Sequence, residues 1–295
     1  MKKLLLLTLS ISFLSFSSIL AQNVVVPDAN LMQALLANKE INKNGDKKIT
    51  IKEAIAFKGI LDISNKNISS LEGINRFNNM TGLLAQNNNL TEVELTNPYL
   101  VEINLDNNQL QKLKLSQSGQ VIKKLSFNTN KVKVLYYTGD IEELSCDNNK
   151  LDTVLIGSCS KSLSIRNNPL KFIRMTSLVP SNIQSVDFSM CTEISGGYVE
   201  EILSKGLQLT HINLSGSSIS SKLDFERHTK LKYLNIDSCQ LVSRVKLPTN
   251  ACDQLQISAE NTPGLFCIEI DGDCAKTLKA NSKAADKVTV NPYCY

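Results

Sequence analysis

The run Leu100-Val101-Glu102-Ile103-Asn104-Leu105-Asp106-Asn107-Asn108-Gln109-Leu110 decides how this 295-residue chain folds. It places apolar residues at Leu100, Ile103, Leu105 and Leu110 and an asparagine at Asn108. The same spacing stands just before it, as Met80, Leu83, Ala85, Asn88 and Leu90. It recurs after it as Ile122, Leu125, Phe127, Asn130, Val132, then as Ile141, Leu144, Cys146, Asn149, Leu151. A fifth unit reads Leu163, Ile165, Asn168, Leu170, with Ser160 in the first slot.

Working outward, the pattern persists in weaker form. Ile183, Val186, Phe188, Cys191, Ile194 is one unit, and Leu209, Ile212, Leu214, Ser217, Ile219 the next. Leu231, Leu234, Ile236, Cys239, Leu241 follows, and Leu255 with Ile257 closes the array. Leu61, Ile63, Ile68 and Leu71 open it, with Lys66 in the asparagine slot. This is the template of a leucine-rich-repeat solenoid. Each L-x-L pair sends two side chains inward from a short strand and the residue between them outward. The asparagine turns the chain and bonds backbone groups that the turn leaves unpaired. One repeat cannot bury its own leucines, so stability comes from its neighbours. The expected fold is therefore a parallel sheet on a concave face, with turns and 3₁₀ pieces on the convex side. One or two short convex helices are expected, one of them over Tyr198–Lys205, after Gly196-Gly197 and before Gly206, where a helix would stop.

The ends read differently. Lys2-Lys3, an apolar run to Leu20 and the small Ala21 predict a secretory signal peptide over 1–21. A helical cap over 22–56 follows: Pro27-Asp28 opens a first helix with Leu31, Met32, Leu35 and Leu36 as its apolar stripe. A second short helix carries Ile51, Ala54, Ile55 and Phe57. Between them Asn42, Asn44, Asp46 and Glu53 occupy the first, third, fifth and twelfth positions of an EF-hand-like loop. Asn stands at the first ligand position in place of Asp, and Lys47 stands where the usual glycine would be. Two readings stay open, a calcium site or a cap that keeps the loop's shape without the ion. No other cofactor is indicated.

Repeats are expected over 57–259 and a disulfide-stabilised cap over 260–295, where Cys252, Cys267, Cys274 and Cys294 cluster in or beside the last segment. Cys267 with Cys294 is the expected bridge; spacing leaves the other connectivities open. Cys146 fills a core slot and Cys191 and Cys239 fill asparagine slots, so these are expected free and buried.

The units resemble those of internalins, among the secreted bacterial leucine-rich-repeat proteins. The residues that carry this are Leu61-Asp62-Ile63-Ser64-Asn65-Lys66-Asn67-Ile68-Ser69-Ser70-Leu71-Glu72-Gly73-Ile74 and the Asn-Asn-x-Leu turns at Asn88, Asn108, Asn149 and Asn168. Val26-Pro27-Asp28-Ala29-Asn30-Leu31 and the EF-hand-like loop are similar to that group's caps. The resemblance implies a recognition or adhesion module at a cell surface or outside the cell.

Composition narrows the function further. Without Lys2 and Lys3 the net charge of +4 falls to roughly +2, too little for a nucleic-acid stripe. There are only two histidines, His211 on a strand and His228 in the polar Glu226-Arg227-His228 turn, neither in a nucleophile or metal constellation, so no enzyme is expected. After signal removal no membrane span is expected, and a monomer is the expected state. The residues beside the core leucines then carry function. Glu102, Asp106, Glu143, Asp147, Arg166, His211, Tyr233 and Asp237 are the candidate partner-binding residues, because hot spots favour Tyr and Arg. The first expectation is a protein partner on the concave face. A glycan-binding or structural surface component and a released effector or inhibitor are the alternatives.

Overall fold

The computed structural model describes residues 22–116, 121–176, 182–194, 196–219, 222–248, 254–270, 274, 283–284 and 289–291. The expected signal peptide and Cys252 and Cys294 lie outside them. The chain forms two compact units, 1–120 and 121–295. Each is a parallel-strand β-solenoid with few helices, the fold class that the repeat implies.

The first unit begins with α1 (Ala29–Ala37) and α2 (Ile51–Ala56). Asp28 caps α1, accepting from the Leu31 N–H, and Thr50 with Glu53 forms a capping box on α2. Its main sheet holds β1 (Ile60–Asp62), β2 (Gly82–Leu84) and β4 (Glu102–Asn104), paired Leu61 to Leu83 to Ile103. A flanking pair, β3 (Glu92–Leu95) and β5 (Lys112–Leu115), runs beside it.

The second unit's main sheet runs through β6 (Ile122–Ser126), β7 (Val134–Ser145), β8 (Thr153–Ser164), β10 (Ser185–Asp187), β11 (His211–Asn213), β13 (Tyr233–Asn235) and β15 (Gln256–Ala259), then β17 (Lys283–Ala284). The register stacks Leu144, Leu163, Val186, Ile212, Leu234 and Ile257 into one inward column, all buried. Truncating such a residue to alanine removes packing worth about 2–5 kcal/mol.

One detail departs from expectation. The flank of the solenoid holds strands, and 3₁₀ structure occurs there only at Ile74–Arg76 among the described residues. The first half of β7 pairs with the first half of β8, which pairs in turn with β9 (Phe172–Met175), while β12 (Lys222–Asp224), β14 (Arg244–Lys246), β16 (Cys267–Glu269) and β18 (Thr289–Asn291) form a second flanking sheet. The reason is stride. Equivalent positions Asn128, Asp147 and Arg166 are 19 residues apart, so the chain must cross the flank extended, and extended segments in register pair. At Gly157 this brings backbones so close that a Cβ would lie 2.3 Å from the Thr138 carbonyl oxygen. Between Asp187 and Asn213 the stride is 26, and the surplus coils into α3 (Gly196–Lys205), as expected. Parallel pairing also continues past 259, through β16, β17 and β18, into the segment read as a cap.

Candidate functional site

The asparagine slot does structural work. In the first unit Asn108 donates to the Leu105 and Ala85 carbonyls at 3.0 Å each and accepts from the Leu90 N–H at 3.0 Å, tying its own coil to the preceding one. In the second unit Asn168 does the same with Ile165, Cys146 and Leu151. The residue before each, Asn107 or Asn167, takes a left-handed backbone, φ 53° and 54°, which asparagine tolerates. These outer asparagines form a second ladder, with Asn107 donating to Asn87 and Asn167 to Asn148. Where the slot holds Cys191, Ser217, Cys239 or Thr262, a single donor to a carbonyl remains.

Outward positions of the main sheet carry the candidate binding residues, and the structure sorts them. Glu102 and Asp106 belong to the first unit; Glu143, Asp147, Arg166, His211, Tyr233 and Asp237 belong to the second. Asp147 is not a free recognition group. Its Oδ1 accepts from the Ser164 hydroxyl at 2.7 Å and the Arg166 N–H at 2.9 Å. Burial pushes its carboxyl above the usual range against those bonds, with Asp187 adding in the same direction. Asp237 likewise accepts from Ser258 and from the Glu260 N–H. Asn128 and Asn213, and Asp187, which the sequence reading passed over, belong to the same system: Asn128 accepts from the Ser145 hydroxyl and the Asp147 N–H, and Asp187 accepts from Ser189 and Asn213. The pattern Asp187-Phe188-Ser189, Asn213-Leu214-Ser215, Asn235-Ile236-Asp237 was the signal available for it.

What stays presented is the other outward column. Glu143, Ser162, Ser185, His211, Tyr233 and Gln256 are register neighbours in succession. Glu143 is opposed by Lys124 and approached by Lys161 at 4.0 Å. Beyond it the column is uncharged, and exposed His211 lies beside half-buried Tyr233, ring centroids 6.2 Å apart and tilted by 35°. Thr210 shares a 2.9 Å hydrogen bond with His211 Nδ1. Arg166 is exposed, one column over.

His228, read from sequence as part of a polar turn, is instead buried. Its Nε2 lies 2.9 Å from the Leu203 carbonyl oxygen in the last turn of α3, and its ring meets Phe225 edge on. Nucleophilic chemistry finds no support in the described thiols. Cys146, Cys159, Cys191 and Cys239 are buried thiols in no disulfide, and burial raises each of them, Cys159 and Cys191 to about 12. Cys267 and Cys274 are disulfide-bonded. The second member of the expected Cys267–Cys294 bridge lies outside the described residues.

The EF-hand-like loop fits a cation in part. Asn42 Oδ1 is buried without a partner. The other oxygens are engaged locally: Asn44 Oδ1 by the Asp46 N–H, Asp46 Oδ1 by the Lys48 N–H, and Glu53 Oε2 by Thr50 in the capping box. No described helix is long and apolar enough to cross a membrane.

No protein-family model matches the sequence, and the search of curated proteins also returned no match. Among solved structures the chain is similar to the functional domain of InlJ from Listeria monocytogenes, which includes a cysteine ladder, at 18% identity and a TM-score of 0.57. That match covers 86% of this chain and 62% of the other, so the chain spans less than two thirds of that structure. An internalin, InlF, from the same organism aligns at 15% identity and a TM-score of 0.34, over 94% of this chain and 98% of its own. The first of these likenesses is one of fold: a parallel-strand solenoid of the internalin kind.

Proposed function

We propose that this chain is a secreted or surface-exposed recognition protein, not an enzyme, and that it binds a protein partner through the main strand face of its second unit. The observation that carries this reading is the uncharged column around His211 and Tyr233. Among the described residues it is the stretch of that face where an aromatic and an imidazole stand together, on a face whose acidic groups Asp147 and Asp237 are already committed to the fold. Buried anchors of the Tyr type carry protein recognition. The solenoid supplies a rigid frame that orders no further on binding, which lowers the entropic cost of association. The signal segment 1–21 and a Cys267–Cys294 bridge belong to this reading, because both suit an oxidising compartment outside the cytoplasm.

Capture tests it. The chain from Gln22 onward, immobilised, is expected to retain a surface protein from a cognate cell, and the His211→Ala/Tyr233→Ala double variant to lose it. Equal capture by a folded double variant removes the site from this face. A glycan array distinguishes the glycan-binding alternative, and fractionation of the producing culture separates a retained adhesin from a released effector.

A second reading concerns calcium at Asn42, Asn44, Asp46 and Glu53, and the partnerless Asn42 Oδ1 favours it. Hard cations take such oxygens. Melting in millimolar calcium against chelator is the test, and an unchanged Tm sets the ion aside.

A further inference from the structure

The flank of the second unit contains an open strand edge beside a groove, and we propose that it binds an extended, basic peptide segment of a partner protein by strand addition. The inference is independent of the His211–Tyr233 face. The coil that carries α3 has a helix where its neighbours have flanking strands, so the flanking sheet is interrupted. α3 leans toward β9, where Tyr198 meets Phe172 edge on at 4.9 Å. Toward β12 it leaves a groove of about 450 Å³.

Among the described residues β12 is the terminal strand of its sheet, paired only with β14. The Phe225 N–H crosses to the Lys246 carbonyl at 2.8 Å. Successive residues of a strand direct their backbone groups to opposite edges, so Lys222 and Asp224 turn theirs to the groove. Those groups are what an added strand pairs with, and main-chain bonds of this kind give affinity while side-chain pockets give specificity.

The groove's side chains state the chemistry of the occupant. Leu203, Leu223 and Phe225 form an apolar floor for one side chain. Glu200 and Asp224 at the rim outnumber Lys222, so lysine or arginine on either side of that apolar residue is favoured. The volume lies within the roughly 300–1,000 Å³ of ordinary ligand sites. The edge is short and charged, which keeps long flat strands from stacking on it while leaving room for a single segment.

The test uses amide exchange and NMR shifts on the chain from Gln22 onward, with an acetylated hexapeptide that alternates valine with lysine. In the free protein the Lys222 and Asp224 amides are expected to exchange as unbonded groups. On adding peptide they slow by about tenfold or more, with shifts confined to β12 and α3. The same peptide N-methylated at alternate positions does not bind, and the Glu200→Lys/Asp224→Lys variant, with unchanged Tm, binds about tenfold more weakly. Protection of both amides in the free protein overturns the proposal. So does equal binding of the N-methylated peptide or of a glutamate-bearing one, or absence of binding.

Discussion

Asp28 and Ser69 are joined by two hydrogen bonds, from the Ser69 N–H and from its hydroxyl, each 2.8 Å, to Oδ2 of Asp28. The other carboxylate oxygen caps α1 at the Leu31 N–H, so one side chain ends the helix and fastens the cap to the first repeat. Burial by itself would raise this carboxyl, but the bonds from Leu31, Ser69 and Ser70 hold it below its ordinary value. A depressed folded pKa means that the unfolded chain takes up the proton first. The stabilisation is complete above the ordinary carboxylate pKa of about 4 and disappears as pH falls through the lower folded value. Urea melts at pH 6 and pH 3 should show less loss for Asp28→Asn than for the unaltered chain. At pH 6 the variant should be less stable by about 1–3 kcal/mol.

Asn108→Ala should cost more than Asn107→Ala. The first strands the buried Leu90 N–H, at about 1–3 kcal/mol, and takes one donor from each of the Leu105 and Ala85 carbonyls, the latter keeping Asn88. The second removes an exposed bond to Asn87 and a left-handed preference, about 1 kcal/mol. Paired denaturant melts order the two.

Thr129 occupies the left-handed position, φ 55°, that asparagines fill at 87, 107, 148 and 167. A β-branched residue is strained there. Thr129→Asn should therefore raise stability by about 0.5–1 kcal/mol, read as a higher Tm.

The four buried thiols should be silent toward a thiol reagent in the folded chain. With Cys159 and Cys191 raised to about 12 and no access from solvent, labelling should proceed only at the rate of unfolding. A rapid burst of modification at any of them would contradict their placement.

How far the residues alone reveal this molecule depends on what each position is asked to do. The inward leucines and the ladder asparagines read directly, because burial and a missing backbone partner admit few side chains at a fixed stride. The helix α3 was legible too, since a longer unit framed by glycines leaves residues with nowhere else to go. The flanking strands were hidden: Glu92-Val93-Glu94-Leu95 and Lys112-Leu113-Lys114-Leu115 alternate as strands do, but only pairing between coils makes them strands. The candidate site was half legible. His211 and Tyr233 stand where the alternation put them, whereas Asp147 and Asp237 look like binding residues in sequence and are spent on serine hydroxyls and backbone N–H groups of the next coil. His228 was misread because its partner, the Leu203 carbonyl, is 25 residues away.

Hydroxyl-radical footprinting of the captured complex tests recognition by the strand face most directly. The expected result is protection of Tyr233 and His211 relative to the free chain, with exposed Tyr136 on the flank unchanged. Tyr233 and His211 reacting as fast in the complex as in the free chain, with protection appearing at another surface, would contradict it.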